Sequence, residues 1–233
     1  MSKSLKSLLV LAFLVVVIAG YYYKKSSDNK ISDSQSPIVG TINYSNNQKS
    51  KDEETVNWQN YQDPSGIFSL KYPESSAVNS DAKETKISTK VETIADLVKN
   101  GFAAEKEKEA LENGKLGDIA TGSFSDSNKI IMLDGGKATA KEYIIFADKL
   151  KCEVDMILNL IFYYSDKRVK ISYQIDNFAV RVPADYLVAS DKCENKLLNE
   201  SRFFANLSTG KVNGELQTFY NDFDEIVKSI KIY

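Results

Sequence analysis

Any catalysis by this chain has to be built without histidine, because none of its 233 residues is one. That excludes Ser–His–Asp triads, His–Cys pairs and metal sites that need imidazole. No P-loop, GxGxxG, GxSxG or CxxC motif occurs either. Carboxylates, lysines, tyrosines, serines and two cysteines remain. Ser80-Asp81-Ala82-Lys83 has the spacing by which a lysine activates a serine on a helix. The surrounding stretch 75–86 is polar and loop-like, however, and such a lysine needs burial to lose its proton. Asp222 and Glu225 have the chemistry of an acid–base pair, but they fall on the polar side of a periodic segment and read as surface. Asp126, Asp134 and Asp166 are scattered through turns, without the ligand spacing of a calcium loop. No catalytic, cofactor-binding or metal-binding residue is assigned, no cofactor is expected, and the chain reads as a non-enzyme.

Cys152 and Cys193 are the two cysteines. In an oxidising compartment they are disulfide candidates. A bridge would close a loop of roughly 40 residues, worth on the order of 4 kcal/mol in the chain-entropy model. The alternative is two unpaired thiols. A redox pair is disfavoured because the spacing supplies no local resolving partner.

The compartment is read from the other end of the chain. Residues 8–23 (LLVLAFLVVVIAGYYY) form one uncharged apolar run, bracketed by Lys3 and Lys6 before it and by Lys24 and Lys25 after it. Extended to Leu5, the run spans about 19 residues, close to the ~20 that a helix needs to cross a bilayer. Tyr21, Tyr22 and Tyr23 sit where aromatic rings favour the headgroup boundary. Residues 1–23 therefore read as a transmembrane anchor contacting membrane lipid. A cleaved secretory signal is the alternative, with Val17 and Ala19 at the small-residue positions. Ile18-Ala19-Gly20 looks like a lipoprotein processing site, but Tyr21 stands where the lipidated cysteine belongs. The positive-inside rule returns a tie. The N-terminal position of the span and the cysteine pair favour a domain on the extracytoplasmic side of the cell membrane.

Residues 24–55 are mostly Ser, Asn, Asp, Gln and Lys, and read as a disordered tether. Their root-mean-square reach is about 30 Å, which keeps the rest of the chain close to the bilayer. Residues 56–233 fit one domain. Within it, Asp63-Pro64-Ser65-Gly66 and then the alternating run 66–73 predict a hairpin ending at Pro73. A second strand is expected over 85–91. Thr93 then caps a helix carrying Ile94, Leu97, Val98 and Phe102, with 105–109 as its wet face. Short strands are expected over 118–124, 129–133 and 138–147, with Asp134-Gly135-Gly136 as a tight turn. Runs 152–164 and 169–175 pair across 165–168, giving an antiparallel meander. Leu216, Phe219, Tyr220, Phe223, Ile226, Val227 and Ile230 form the apolar stripe of a final helix, with Asp222, Asp224, Glu225 and Lys228 facing away. Residues 230–233 alternate again, as an edge strand does.

Two of these segments carry a family resemblance. Trp58-x-x-Tyr61, a turn, and Phe68-Ser69-Leu70-Lys71-Tyr72-Pro73 resemble the opening of PsbP-like domains, as found in small membrane-anchored bacterial proteins. Phe223-Asp224-Glu225-Ile226-Val227-x-Ser229-Ile230-Lys231-Ile232 is similar to their closing helix and strand. The resemblance implies an α+β fold in which an antiparallel sheet is covered by helices on both faces, an α/β/α sandwich. It speaks for fold and does not bring the photosystem role of PsbP with it.

A net charge of −2, with Lys and Arg interspersed among Asp and Glu, argues against nucleic acid as a partner. The expectation is a single-pass, membrane-anchored extracytoplasmic module that binds or helps assemble an envelope protein. A small-ligand carrier is the alternative, and an envelope hydrolase a further one.

Overall fold

The computed structural model describes residues 57–115, 124–148, 154–189, 197–212 and 214–233. The expected anchor (1–23), the tether (24–55), nearly all of the expected strand 118–124, and both Cys152 and Cys193 lie outside the described residues. Among the described residues no helix is long and apolar enough to cross a membrane.

The architecture is α+β. Strand β1 (Trp58–Gln62) turns at Asp63 into β2 (Phe68–Pro73). The Asp63 carboxylate accepts the Ser65 backbone N–H at 2.9 Å, and Gly66 supplies φ +73°. This Asx-type turn is why the hairpin forms where the Asp-Pro-Ser-Gly run predicts it. The C-terminal strand β11 (Lys231–Ile232) joins the other edge of β2 to complete a three-stranded sheet.

The main sheet has six strands in the order β3-β4-β8-β7-β6-β5. They are β3 (Ser76–Val78), β4 (Thr85–Thr93), β5 (Lys129–Leu133), β6 (Ala138–Asp148), β7 (Val154–Tyr164) and β8 (Lys167–Ile175). Strands β5 to β8 form the expected antiparallel meander. Only the short β3 departs, pairing parallel to β4. A further pair, β9 (Leu187–Val188) with β10 (Leu197–Leu198), stands apart.

Alternation along the long strands divides the core between the two faces of the six-stranded sheet. On the first face Met156, Leu158, Leu160 and Phe162 of β7 and Val169, Ile171, Tyr173 and Ile175 of β8 belong to a large cluster. That cluster also takes in Phe203 and Leu207 of helix α4 (Glu200–Ser208). Helix α5 (Glu215–Ser229) contributes Leu216, Phe219, Phe223, Ile226 and Val227, the stripe expected from the sequence. Tyr173 stacks on Phe219 with ring centroids 4.4 Å apart. The one-turn helix α3 (Phe178–Arg181) adds Phe178.

On the second face Ile130, Tyr143, Ile161 and Tyr163 pack against two helices, α1 (Ile94–Lys99) and α2 (Ala104–Glu112). Thr93 caps α1 as expected, its hydroxyl accepting the Asp96 N–H at 2.9 Å. The single long helix expected here is corrected to two. Gly101, at φ +80°, ends α1. The apolar stripe therefore stops at Leu97, leaving Val98 and Phe102 45% and 40% exposed. Helix α2 restarts with its own phase, and Ala104, Glu107, Ala110 and Leu111 are its buried side. The expectation that 105–109 is a wet face fails at Glu107 for this reason.

Candidate functional site

Glu107 is the residue that sequence reasoning missed. Position 107 is three after Ala104 and three before Ala110, so α2 cannot bury its two alanines without burying Glu107 between them. Its carboxylate is satisfied from the sheet below. Oε1 accepts the Tyr163 hydroxyl at 2.9 Å and the Arg168 Nε–H at 2.7 Å. Arg168 is only 8% exposed. It also lies 3.9 Å from the Glu92 carboxylate, and its guanidinium rests 4.9 Å from the Phe102 ring centroid. Burial works against the Arg168 charge, but Glu107 outweighs it and holds the guanidinium protonated above its ordinary range. The Tyr163 phenol is pushed well up, by burial first and then by Glu107.

Register places further polar groups beside this cluster. On β8, Arg168, Lys170 and Ser172 alternate onto the second face. Glu92, Lys90 and Ser88 of β4 stand opposite them in turn. Across β7 the same rows continue through Tyr163, Ile161 and Asn159, and Lys141 of β6 stands opposite Ile161. Lys141 is fully buried, and burial pushes its ammonium down to about 8. Burial likewise pushes Tyr143 up to about 12. Asn159 is anchored by the Ser172 hydroxyl, which donates to its Oδ1 at 2.8 Å.

An open groove of about 770 Å³ lies at the outer end of this face. Ile94, Ala95 and Val98 of α1 line it, together with Lys99, Glu105 and Lys108 and with Ser165 and Asp166 of the β7–β8 turn. The turn is fixed to the helices at two points. The Ile94 N–H donates to the Asp166 carbonyl at 2.8 Å, and Lys108 Nζ donates to the Ser165 carbonyl at 3.0 Å.

The sequence-derived candidates are not brought together. The Ser80 hydroxyl accepts the Ala82 N–H at 3.3 Å, while Lys83 Nζ reaches the Glu74 carbonyl. Both side chains are exposed, so the dyad lacks the burial its chemistry requires. Asp222 and Glu225 share a flank of α5, where Glu225 pairs with Lys228 at 2.9 Å. Asp222 does not face fully away. Being three and four residues from the buried Phe219 and Ile226, it is half-buried. Burial, with Glu225, raises it to about 6. Asp134 sits in a turn, as expected, but also ties down β11 by accepting the Ile232 N–H at 2.9 Å. Asp166 pairs with Lys167 at 3.4 Å, and Asp126 is exposed in a turn. Among the described residues no group of three His, Cys, Asp or Glu is placed to hold a metal ion.

Beneath α5, Lys129 donates to Glu142 at 3.0 Å and to the Tyr220 hydroxyl at 3.3 Å. Burial opposes the Lys129 charge, and Glu142 reverses that, leaving its pKa raised. Glu107 with Arg168 is thus an ion pair that joins helix to sheet, and Glu142 with Lys129 is one within the sheet that reaches α5 through the Tyr220 hydroxyl, whereas the groove and the exposed end of the lysine row at Lys90 face solvent. Compared with protein-family models and with curated proteins, the chain matches none of them.

Proposed function

We propose that the chain is a membrane-tethered, non-enzymatic binding module that engages an envelope protein on the extracytoplasmic side. The groove between α1, α2 and the β7–β8 turn carries this reading. Its lining combines Ile94, Ala95 and Val98 with charges of both signs, Lys99 and Lys108 on one hand and Glu105 and Asp166 on the other. An apolar patch with a polar rim suits a polypeptide segment that offers one or two apolar side chains between polar neighbours. The groove is open rather than enclosed, which favours a polypeptide over the small ligand of the carrier alternative. The ion pairs and backbone hydrogen bonds that occupy Glu107, Ser80 and Lys83 count against the hydrolase alternative.

The PsbP-like α/β/α sandwich is part of the same proposal. It is supported by helices packed on both faces of the six-stranded sheet. It is also supported by the meeting of the two resembling segments: Phe68 and Ser69 of the first pair with Ile232 and Lys231 of the second.

The test is site-specific photocrosslinking in cells with the full chain. A crosslinker at Val98 is expected to give a discrete protein adduct. One at Val180, 83% exposed and away from the groove residues, is expected to give none. Equal patterns from both positions, or no adduct from Val98, would reject the groove as a docking site.

A further inference from the structure

We propose that the second face of the six-stranded sheet carries a phosphate-binding site centred on Lys170 and Lys90, a reading independent of the groove. Register puts these two lysines directly opposite each other on β8 and β4. Their Cβ atoms are then about 5 Å apart, and like charges so placed destabilise an antiparallel pair. Lys141 stands in the same row two strands further on, and Arg168 adjoins Lys170 on its own strand face.

Two carboxylates share this neighbourhood, and both are already engaged. Glu107 is held by Arg168 and Tyr163. Glu92 is shared between Lys90 at 2.7 Å and Arg168 at 3.9 Å. Among the described residues Lys170 reaches no carboxylate at ion-pair distance. Burial, Arg168 and Lys90 all act to lower its pKa, in that order, and Glu107 and Glu92 offset them only in part. The folded protein therefore holds excess positive charge here at a cost that a bound anion would remove.

The surroundings suit an oxyanion with several acceptor oxygens. Lys90 and Ser88 are exposed on β4, and Lys170 and Ser172 are half-buried on β8. These form a square of two ammonium and two hydroxyl groups on neighbouring register positions. Two long lysine side chains converge on one anion, and the Ser88 hydroxyl meets a remaining oxygen, the Ser172 hydroxyl being already donated to Asn159 Oδ1. A phosphate group suits this site, either as inorganic phosphate in solution or as the singly charged phosphodiester in the headgroup of an anionic lipid. A tethered domain places this face within reach of both sources.

The experiment measures acylation of individual lysines by a membrane-impermeant reagent, read by peptide mass spectrometry on the full chain. Exposed Lys211 serves as the internal reference. In neutral detergent, inorganic phosphate replaces chloride at constant ionic strength. Lys170 labelling is expected to slow about tenfold when phosphate reaches roughly ten times its Kd, since only the free fraction reacts. Lys211 should be unchanged. A second arm places the chain in phosphatidylcholine nanodiscs with or without phosphatidylglycerol and without phosphate. Protection by free phosphate alone assigns a soluble anion. Protection by phosphatidylglycerol alone assigns a lipid headgroup. Either supports the site. No selective protection of Lys170 in either arm overturns it, as does protection that survives undiminished in Lys90→Gln.

Discussion

At the scale of single residues, the Glu107–Arg168 pair behaves as one unit. Glu107→Ala leaves a guanidinium buried without its carboxylate and is expected to cost about 3–5 kcal/mol. The double variant Glu107→Leu with Arg168→Met removes both charges and is expected to recover most of that loss. Urea unfolding monitored by Trp58, the single tryptophan, measures both. A double variant as unstable as the single one would show that the charges themselves hold α2 on the sheet. Asp222 makes the opposite case. Its carboxyl titrates at about 6 in the fold against an ordinary 3.8. The folded state binds this proton more tightly, so its contribution is fully present below about pH 4 and is lost as pH rises through 6. Asp222→Asn is therefore expected to stabilise the protein above pH 6 by about 1 kcal/mol, after allowance for solvent screening of a half-exposed group. The gain should vanish at pH 4. Unfolding curves at pH 4 and pH 7.5 decide it, and an equal effect at both would assign the gain to something other than the titration.

Elements show where local sequence suffices and where it does not. The β1–β2 turn, the Thr93 cap, the meander and the α5 stripe are all legible, because each depends on residues within a few positions of one another. Glu107 is not, because the break at Gly101 resets the helical phase and moves it from the wet side to the buried side. The legible clue is the spacing Ala104, Ala110 and Leu111, which already contains position 107. The lysine row is illegible for a different reason. Lys90, Lys141 and Lys170 are dispersed among acidic residues along the chain, and only strand register gathers them. Asp134 reads as turn chemistry, which it is, but its second role spans nearly a hundred residues. The Ile232 N–H, together with Lys137 and Lys231, lowers the Asp134 carboxyl below its ordinary value. Asp134→Ala is expected to cost about 1–3 kcal/mol by freeing that N–H and the charges that share the carboxylate. A lowered folded pKa contributes stability above pH 3.8 that is lost as pH falls, so the cost should shrink toward pH 3. Faster exchange of the Ile232 amide would locate the damage at β11. An unchanged exchange rate would show that the strand is held by its pairing with β2 alone.

At the scale of the whole molecule, both binding proposals draw their meaning from the ends of the covalent chain. The lipid arm of the phosphate proposal needs a domain held beside the membrane by an uncleaved residue 1–23 segment. An extracytoplasmic partner for the groove needs that domain to stand in an oxidising space. One measurement addresses both conditions: the intact mass of the protein extracted from native membranes, before and after reduction. The expected mass is that of all 233 residues, rising by about two hydrogens on reduction as the Cys152–Cys193 bridge opens. A species lacking roughly the first 20 residues would mark a cleaved signal. The lipid arm of the phosphate proposal would then lose its premise, while the groove and the soluble-anion arm would stand. A full-length mass unchanged by reduction would mean free thiols, which suit the reducing side of the membrane. The docking partner would then have to be sought among cytoplasmic proteins, with the same crosslinking position at Val98.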